Sequence, residues 1–257
     1  MGDAKRIVVR PIDRPSAEEC IRRWHHSGKG IKNAQLHLGA FLDGRLLGAM
    51  QFGPSLDKQK LQGLVEGTGW FEFVELNRMA FSDALPRNSE SRCLSIAMLL
   101  LRKHAPQVKW IVSYADATQC GDGTIYRASG FILTGIKRNA TFWKTLDGNI
   151  FSTASKSRKA IPIEVRRSTG VRDDGSGSVD ALRAHARPMQ GYQLRYVYFL
   201  DPTYRARLTV PELSFQEIDR IGARMYRGKR AGTSTRSGTP AAVGGATPTP
   251  ALHRVNA

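Results

Sequence analysis

The stretch "VSYADATQCGDGTIYRASGF", residues 112–131, decides the fold. Apolar and β-branched residues lead to Asp116, as expected for a strand that is buried on both faces. A loop with two glycines follows, then a short helix at about residues 123–129 that carries Tyr126, then a strand that begins at Gly130-Phe131. Because ligands in open α/β sheets bind beyond the carboxyl ends of strands, this unit predicts a site at Asp116.

The segment that precedes this unit alternates between strand and helix patterns. Residues 6–12 predict a first strand, and Ser16 is the predicted N-cap of a helix that runs to about His25. Two apolar runs that flank Asp43-Gly44 predict a hairpin, because this dipeptide suits the positive φ angles of a tight turn. Residues 69–81 predict another strand.

The clearest helix pattern is "NSESRCLSIAMLLLRKHAP", residues 88–106. Ser or Asn is its predicted cap, and Ile96, Leu99 and Leu100 are its predicted apolar stripe. Residues 194–200 predict a late strand. The order of elements predicts an α/β fold with a mixed, strongly twisted central sheet and flanking helices.

Composition divides the 257 residues into three parts. We predict a single catalytic domain over residues 1–227, with a basic insert at about 137–190 and a disordered tail at 228–257 that is rich in Gly, Ser, Thr, Pro and Ala. Residues 137–189 contain 11 Lys and Arg against 5 Asp and Glu. The best candidates for phosphate contacts are the arginines of this insert, and the alternative is a solvated loop. They are Arg166, Arg167, Arg172, Arg183 and Arg187.

The overall charge and the cysteines narrow the function classes. A net charge of +17 and a pI of about 10.3 favour a polyanionic partner, either nucleic acid or an anionic membrane surface. The longest apolar run, residues 96–101, is far too short to span a bilayer, and the N-terminus lacks a signal-peptide core. Three cysteines without CxxC spacing indicate neither a disulfide framework nor a thiolate zinc site. We therefore expect a cytoplasmic protein without a membrane segment.

Three separated motifs carry a family resemblance. "IYRASGF", residues 125–131, resembles the Tyr-x-x-x-Gly-Phe signature of the GCN5-related acetyltransferase (GNAT) fold. Together with "WHHSG" at 24–28, "ELNRMAFSDALPRNSESRCLS" at 75–95 and the block 112–135, it makes the sequence similar to the phage Mom family of DNA-modification proteins. The resemblance covers roughly residues 16–145 and the late strand.

The resemblance implies a transferase that adds a carbamoylmethyl group to the exocyclic amine of adenine in double-stranded DNA. Such a modification protects phage DNA from host restriction, in the host cytoplasm. The donor stays open between acetyl-CoA and a glycine-derived compound. Two other functions also stay open: an acetyl-CoA-dependent N-acetyltransferase that acts on a protein or a small amine, and a non-catalytic DNA-binding protein on the same fold.

Four side chains are the predicted catalytic residues. The adenine amine is a poor nucleophile, so a base, Glu75 or Asp116, must remove a proton as the new bond forms. Arg78 is the predicted ligand of a phosphate or carboxamide, and simple strand alternation places it on the opposite face from Glu75. The resemblance implies that Tyr126 protonates the leaving group. The alternatives are that Asp116 caps its loop and that Tyr126 packs on the sheet.

The predicted donor-binding loop, residues 87–92, differs from the GNAT pattern because it contains no glycine. Arg87 and Arg92 could still bind an anion at a helix N-terminus, although Glu90 opposes this. The predicted donor-binding residues are Arg87, Asn88, Ser91, Arg92 and Ser95.

Two further features suggest a metal and a base-flipping device. His25, with Asp116, would suggest a histidine-plus-carboxylate iron site; the alternative is that a helix C-terminus favours histidine. The neighbouring His26 departs from the family pattern. An enzyme that extrudes a base also needs an aromatic wedge, for which Trp24, Trp70 and Trp143 are equal candidates.

Overall fold

The computed structural model describes residues 3–118, 121–153, 161–172, 179–226 and 229–230. Cys120 and nearly all of the predicted tail lie outside the described residues. The strands are β1 Val8–Pro11, β2 Leu36–Leu42, β3 Arg45–Gly53, β4 Phe73–Phe81, β5 Trp110–Asp116, β6 Ile132–Arg138, β7 Phe142–Thr145, β8 Ile150–Ser152, β9 Ala186–Pro188, β10 Tyr192–Phe199, β11 Met225–Tyr226 and β12 Lys229–Arg230. The α-helices are α1 Arg14–Trp24, α2 Lys58–Gln62, α3 Ser89–His104, α4 Thr124–Ala128, α5 Ile163–Thr169 and α6 Gln216–Arg220. Short 3-10 helices span Asp3–Arg6, Val179–Ala184 and Pro202–Arg207.

A seven-stranded mixed sheet forms the centre of the fold, in the order β1-β2-β3-β4-β5-β10-β6. Only the β4–β5 pair is parallel, and every other neighbouring pair is antiparallel. The predicted α/β class with a mixed sheet is therefore confirmed. Strand β10 enters the sheet between β5 and β6, so β5 has a partner on both edges and its residues Trp110, Ile111 and Val112 are fully buried.

The hairpin predicted at Asp43-Gly44 is confirmed. Asp43 and Gly44 have φ angles of 51° and 76° between β2 and β3, so both adopt the left-handed conformation that a two-residue turn requires.

The predicted N-cap of α1 is wrong by one turn. Helix α1 begins at Arg14, and its N-cap is Asp13, whose Oδ1 accepts the backbone N–H of Ser16 at 2.7 Å. Pro15 lies in the first turn, where its missing N–H removes no helical hydrogen bond. An Asp three residues before Ser16 therefore takes the cap, because it reaches an exposed N–H of the first turn.

The buried face of α3 differs in part from the predicted stripe. Cys93, Leu94, Ala97, Met98 and Leu101 are buried against the sheet. Of the predicted residues, Ile96 and Leu100 are partly buried against the same core, whereas Leu99 is 60% exposed. These buried positions repeat every three to four residues, as a helix face must. Because residues 96–101 are all apolar, the sequence pattern alone does not show which of them face the sheet.

The strand predicted over residues 69–81 is shorter than expected. Strand β4 begins at Phe73, and the residues before it form a tight turn in which Glu72 donates its backbone N–H to the carbonyl of Gly69 at 3.1 Å. Trp70 and Phe71 therefore occupy the two corners of a turn and not the faces of a strand.

The described parts of the basic insert have a core of their own. Strands β8-β7-β9 form a three-stranded sheet. With α5 they enclose a separate apolar cluster that includes Trp143, Phe151, Val165 and Leu182. The solvated-loop alternative therefore does not hold for these parts. Asn139 and Gly191 close the base of the insert, because the N–H of Asn139 donates to the carbonyl of Gly191 at 2.8 Å.

Gly123 is required by the turn that begins α4. It has φ of 78°, and an added Cβ would lie 2.4 Å from the ring of Tyr196, a fully buried residue of β10. We expect Gly123→Ala to lower the free energy of unfolding in urea by about 3 kcal/mol, from left-handed strain plus the clash. Gly44→Ala is the matched control, because Gly44 has φ of 76° in open space; it should lose only about 1 kcal/mol. Equal losses would contradict a role for the Tyr196 contact.

Candidate active site

The candidate site lies where β4 and β5 separate. The two parallel strands pair only from Phe73–Glu75 to Trp110–Val112. Beyond that point, β4 stays beside β3 as far as Phe81, and β5 stays beside β10 as far as Asp116. One long hydrogen bond still crosses the gap, from the Ser113 hydroxyl to the Leu76 carbonyl at 3.4 Å. The sheet therefore opens into a cleft at the carboxyl end of β5.

A bulge in β4 places Glu75 and Arg78 together, contrary to the predicted opposite faces. Leu76 pairs with Phe52 and Arg78 pairs with Gln51, so Asn77 is an extra residue without a partner in β3. One inserted residue reverses the alternation of side chains along a strand. The charge of Arg78 lowers the pKa of Glu75, and the charge of Glu75 raises the pKa of Arg78. Each effect favours the ionised form, as expected for opposite charges that lie near each other.

Arg78 is the central charge of the cleft. Its guanidinium donates to the carbonyl of Lys29 at 3.2 Å and to the carbonyl of Asn77 at 2.7 Å. Burial lowers the pKa of Arg78, and the nearby Glu75 and Tyr126 oppose that shift. Two backbone carbonyls thus fix the guanidinium while it interacts electrostatically with residues of β4 and α4.

Glu75 has the properties of a general base. Burial raises the pKa of its carboxyl group, while hydrogen bonds from Ser55 and Asn77 and the charge of Arg78 act in the opposite direction. A carboxylate with a raised pKa binds a proton more readily than an exposed one. The burial of this carboxyl group is compatible with the predicted role of Glu75 as a base.

Asp116 has a structural and an electrostatic role at once. Its Oδ1 accepts the backbone N–H of Thr118 at 2.9 Å, which is the predicted capping alternative. Its Oδ2 faces His26 Nε2 at 3.9 Å. The carboxylate therefore holds its own loop and also borders the cleft.

The two histidines after α1 reach the same cleft. Burial lowers the pKa of His25 to about 3, with smaller effects from His26 and Arg78, so this imidazole is neutral at physiological pH. Burial also lowers the pKa of His26, although Asp116 acts in the opposite direction. The rings lie 4.2 Å apart, and His25 Nδ1 is 2.9 Å from the Ser27 hydroxyl.

These residues fit an iron site poorly. Among the described residues, no group of three or more His, Cys, Asp or Glu side chains is placed to hold a metal ion. His26, and not the predicted His25, is the histidine that lies near Asp116, with 3.9 Å between Nε2 and Oδ2, and the positive charge of Arg78 lowers the pKa of both rings. A cation there would be repelled by Arg78. The iron site at His25 and Asp116 stays a prediction, and no step below depends on it.

Tyr126 lies in α4, half-buried beside the rings of Phe131 and Tyr196, each at 5.3 Å between centroids. The predicted packing alternative therefore describes part of its environment. Tyr126 also interacts electrostatically with Arg78, so its hydroxyl end belongs to the charged cleft. This position is compatible with a proton donor near the leaving group.

The predicted donor-binding residues surround the start of α3. Asn88 is the N-cap, with φ of 69° and no side-chain capping bond. The hydroxyl of Ser91 donates to the Asn88 carbonyl at 3.2 Å, and that of Ser95 donates to the Ser91 carbonyl at 2.9 Å. Arg92 donates to the Lys5 carbonyl at 3.3 Å, and Arg87 is exposed. Each of these contacts uses one donor only, so Arg92 keeps further N–H groups and Ser91 keeps its acceptor lone pairs for a ligand.

The arginines of the insert form two groups. Arg166, Arg167 and Arg172 line an open pocket of about 340 Å³ at α5. The other group lies at Trp143, where Arg183 stacks at 5.6 Å from the ring centroid and Arg187 donates to the Ala186 carbonyl at 3.0 Å. Three arginines thus line one open pocket, and Arg166 also donates from Nε to the Ile161 carbonyl at 3.1 Å.

The base of the insert contacts the loop that contains Asp116. An added Cβ on Gly191 would lie 2.5 Å from the Cα of Thr118, whose N–H binds Asp116. In addition, Gln193 at the start of β10 pairs with Asp116 itself. The basic insert therefore projects from the same end of the sheet as the cleft.

Sequence reasoning missed Ser55 and Asn77, which hydrogen-bond Glu75, and it assigned no role to His26, which faces Asp116. Tyr114 also lies near Glu75, and burial, together with Glu75, raises the pKa of Tyr114 to about 12. Only the pair of adjacent histidines was a visible signal. The two described cysteines do not contribute, because burial raises the pKa of Cys20 to about 11 and that of Cys93 to about 12.

Comparison with known proteins identifies the family. The chain matches the Mom protein family over residues 6–217. It belongs to the Mom family. A curated relative, methylcarbamoylase mom of Escherichia phage Mu, is 34% identical over 206 residues, which is 80% of each chain. The matched range includes the cleft, the insert and β10.

Solved structures of acetyltransferases align with this Mom-family chain at low identity. Spermidine/spermine N-acetyltransferase SpeG from Vibrio cholerae is 9% identical, with a TM-score of 0.44, and the alignment covers 79% of this chain and 98% of SpeG. A GNAT family acetyltransferase from Elizabethkingia anophelis is 13% identical, with a TM-score of 0.40 and coverage of 76% and 98%. None of the helices in the described ranges is long and apolar enough to cross a membrane.

Proposed function

We propose that this Mom-family chain adds a carbamoylmethyl group to the exocyclic amine of adenine in double-stranded DNA. The observation that carries the proposal is the family match over residues 6–217, which includes the buried charge cluster around Arg78. The family resemblance implies the reaction, and the cleft contains residue types that suit this reaction.

The reaction needs one base and one acid. The N6 lone pair of adenine is delocalised into the ring, so a base must take the N6 proton as the bond from N6 to the donor carbon forms. We assign this step to Glu75, which has the raised pKa. The leaving group departs with the electron pair of its bond to that carbon, and Tyr126 gives it a proton.

Arg78, Asp116 and His26 position the reactants. Arg78 offers a fixed guanidinium to an amide or phosphate oxygen of the donor. Asp116 holds the loop next to Thr118 and faces His26, so it fixes the floor of the cleft. The arginines at α5 supply a sequence-independent contact with the DNA backbone.

Nucleoside mass spectrometry tests the proposal. DNA from cells that express this chain should contain carbamoylmethylated adenine, and Asp116→Ala should reduce it strongly. A plain acetyl group on adenine would identify acetyl-CoA as the donor and overturn the proposed product. Unmodified adenine with the parent chain would reject the function.

A further inference from the structure

Arg195 is an arginine of β10 that the neighbouring strand β6 holds in place. Its Nε donates to the Thr134 hydroxyl at 3.1 Å, and its Nη2 donates to the Thr134 carbonyl at 2.8 Å. Gly135 leaves room for the guanidinium, since an added Cβ would lie 3.2 Å from Nη2. Within the described residues, the N–H groups of Nη1 have no hydrogen-bond partner, so they are available to a ligand.

A bulge in β6 creates this arrangement. Arg195 pairs with Gly135 and Tyr196 pairs with Leu133, so Thr134 is an extra residue on β6. A bulge breaks the alternation of a strand and redirects a side chain. Because of it, the hydroxyl and the carbonyl of Thr134 both meet one guanidinium. The position of Arg195 is therefore built into the sheet.

The charge of Arg195 has no counter-ion in the described part of the chain. Glu75 and Asp57 act on the pKa of the neighbouring Tyr114, and Asp116 faces away to its own loop. No carboxylate of these three forms an ion pair with Arg195, whose pKa is lowered by burial and raised by Tyr114. A partly buried charge without a partner costs free energy, so this guanidinium calls for an anion.

Tyr114 does not supply that anion. Burial raises the pKa of Tyr114 to about 12, so its hydroxyl keeps the proton at physiological pH. The guanidinium of Arg195 in turn stays protonated, as arginine does in proteins. The two groups together form a positively charged floor with one neutral phenol.

Arg195 lies on the face of the sheet opposite to α3. Its neighbours on β10, Leu194 and Tyr196, belong to the core that also contains Leu94 and Met98 of α3. Because side chains alternate along a strand, Arg195 points to the other face. The predicted donor-binding residues are at the start of α3, so the sheet separates them from Arg195.

The same face contains the cleft. Tyr114 pairs with Arg195, and Asp116, two residues farther along β5, shares the face of Tyr114. His26 reaches Asp116 from above this face, and Glu75 acts on the pKa of Tyr114. From strand spacing and rise, the Cα of Arg195 is about 12 Å from that of Glu75. Phosphates recur about every 3.4 Å along each strand of DNA, so a phosphate near a reacting adenine lies within that range.

We propose that Arg195 binds a backbone phosphate of the DNA strand that carries the target adenine, close to that nucleotide. This inference rests on the proposed function. A fixed guanidinium suits a phosphate because its parallel N–H groups match two phosphate oxygens. Phosphate contacts set the register of a protein on DNA without reading its sequence. Arg195 is thus a positioning residue that places the adenine amine before Glu75.

Salt dependence measures this contact without any donor. Arg195→Gln should reduce the slope of log affinity against log salt by about 0.9, and it should weaken binding of a labelled duplex of about 30 base pairs about tenfold. Arg195→Lys should keep the slope, because it keeps the charge, but lose part of the affinity. Fluorescence anisotropy across salt concentrations measures both quantities.

Arg102 provides the matched control. It is also fixed by β10, through the Leu200 carbonyl at 3.0 Å and the Tyr198 hydroxyl at 2.9 Å, but it belongs to α3. Arg102→Gln removes the same charge and should retain the slope. Equal losses in Arg102→Gln and Arg195→Gln, or an unchanged slope in Arg195→Gln, would overturn the inference.

Gly135→Ala tests the position of the guanidinium with every charge retained. The new Cβ would lie 3.2 Å from Arg195 Nη2, so the guanidinium must move. We expect a loss of a few-fold in duplex affinity, and affinity equal to that of the parent chain would contradict a fixed phosphate site. Urea unfolding of each variant separates such a loss from misfolding.

A neutralised phosphate locates the contact on the DNA. The probe is a G·C duplex with one adenine opposite an abasic site, which favours binding at that adenine because the base is already unpaired. Methylphosphonates, which are neutral, replace the phosphates on each side of the adenine. The parent chain should lose about as much affinity for this probe as Arg195→Gln loses for the charged one, and Arg195→Gln should lose little more. Additive losses would overturn the inference.

A phosphate of the donor is the other source of the same anion. Acetyl-CoA is the probe for that source, and calorimetry should show equal binding to the parent chain and to Arg195→Gln. Weaker acetyl-CoA binding in Arg195→Gln with an unchanged DNA slope would assign Arg195 to the donor and overturn the inference.

Cellular mass spectrometry distinguishes the failure of each idea. Arg195→Gln should reduce carbamoylmethylated adenine about tenfold, in line with its loss of affinity. Normal modification by Arg195→Gln would reject the phosphate site and leave the proposed function intact. Absence of modification by the parent chain would reject the function, whatever the binding experiments show.

Discussion

Glu75→Gln should reduce carbamoylmethylated adenine in cellular DNA by about a hundredfold or more, the usual effect of removing a general base. The amide keeps the shape of the side chain and its hydrogen-bond reach to Ser55 and Asn77 but cannot take a proton. Nucleoside mass spectrometry of DNA from cells with equal protein levels measures the loss.

The stability of the same variant provides the control. Burial raises the pKa of Glu75, so the folded chain holds this proton to a higher pH than the unfolded chain does. The ionised form therefore lowers stability near neutral pH, and any benefit from protonation is lost as pH rises through the folded pKa. Glu75→Gln should leave the free energy of unfolding unchanged or higher.

The pH dependence of the carboxyl group can be observed directly. In ¹³C NMR of the parent chain, the Glu75 carboxyl should titrate above the ordinary glutamate pKa, and the signal should be missing in Glu75→Gln. Modification that survives in Glu75→Gln but not in Asp116→Asn would transfer the role of base to Asp116.

Neutralising the α5 pocket should cause the second large effect. Each phosphate contact contributes about −0.9 to the slope of log affinity against log salt. Changing Arg166, Arg167 and Arg172 to Gln should therefore reduce the slope by about 2.7 and weaken DNA binding roughly a hundredfold at about 0.15 M salt. Fluorescence anisotropy of a labelled duplex across salt concentrations measures both quantities.

A matched triple variant controls for net charge alone. Arg10, Arg45 and Lys103 are exposed and belong to β1, β3 and α3, outside the insert, so their change to Gln removes the same three charges. This control should retain most of the slope of log affinity against log salt. If both variants lost affinity and slope equally, DNA binding would depend on the overall charge and not on the pocket.

The opening motif predicted more of the fold than of the site. Its strand, glycine turn, short helix and second strand all form where the pattern places them, because local backbone preferences and buried apolar runs act over a few residues. Asp116 and Tyr126 do border one cleft, as the strand end suggested. The wrong cap of α1 and the wrong assignment of Leu99 to the buried face of α3 arose where several neighbouring residues were equally suitable.

The electrostatic coupling of Glu75 with Arg78 was beyond sequence reasoning. Strict alternation separates them, and only the register between β3 and β4 reveals the extra residue at Asn77. The position of His26 near Asp116 likewise depends on how α1 packs on the sheet, which the sequence does not show.

The sequence by itself determined the fold class, the family and the residue types of the chemistry, because these follow from local patterns and motif order. The tertiary structure alone decided which charges share the cleft, which arginines form one pocket and which tryptophan reaches solvent. These depend on strand register and on the burial of residues far apart in the chain, and electrostatic coupling exists only once such residues are brought within a few ångströms of one another.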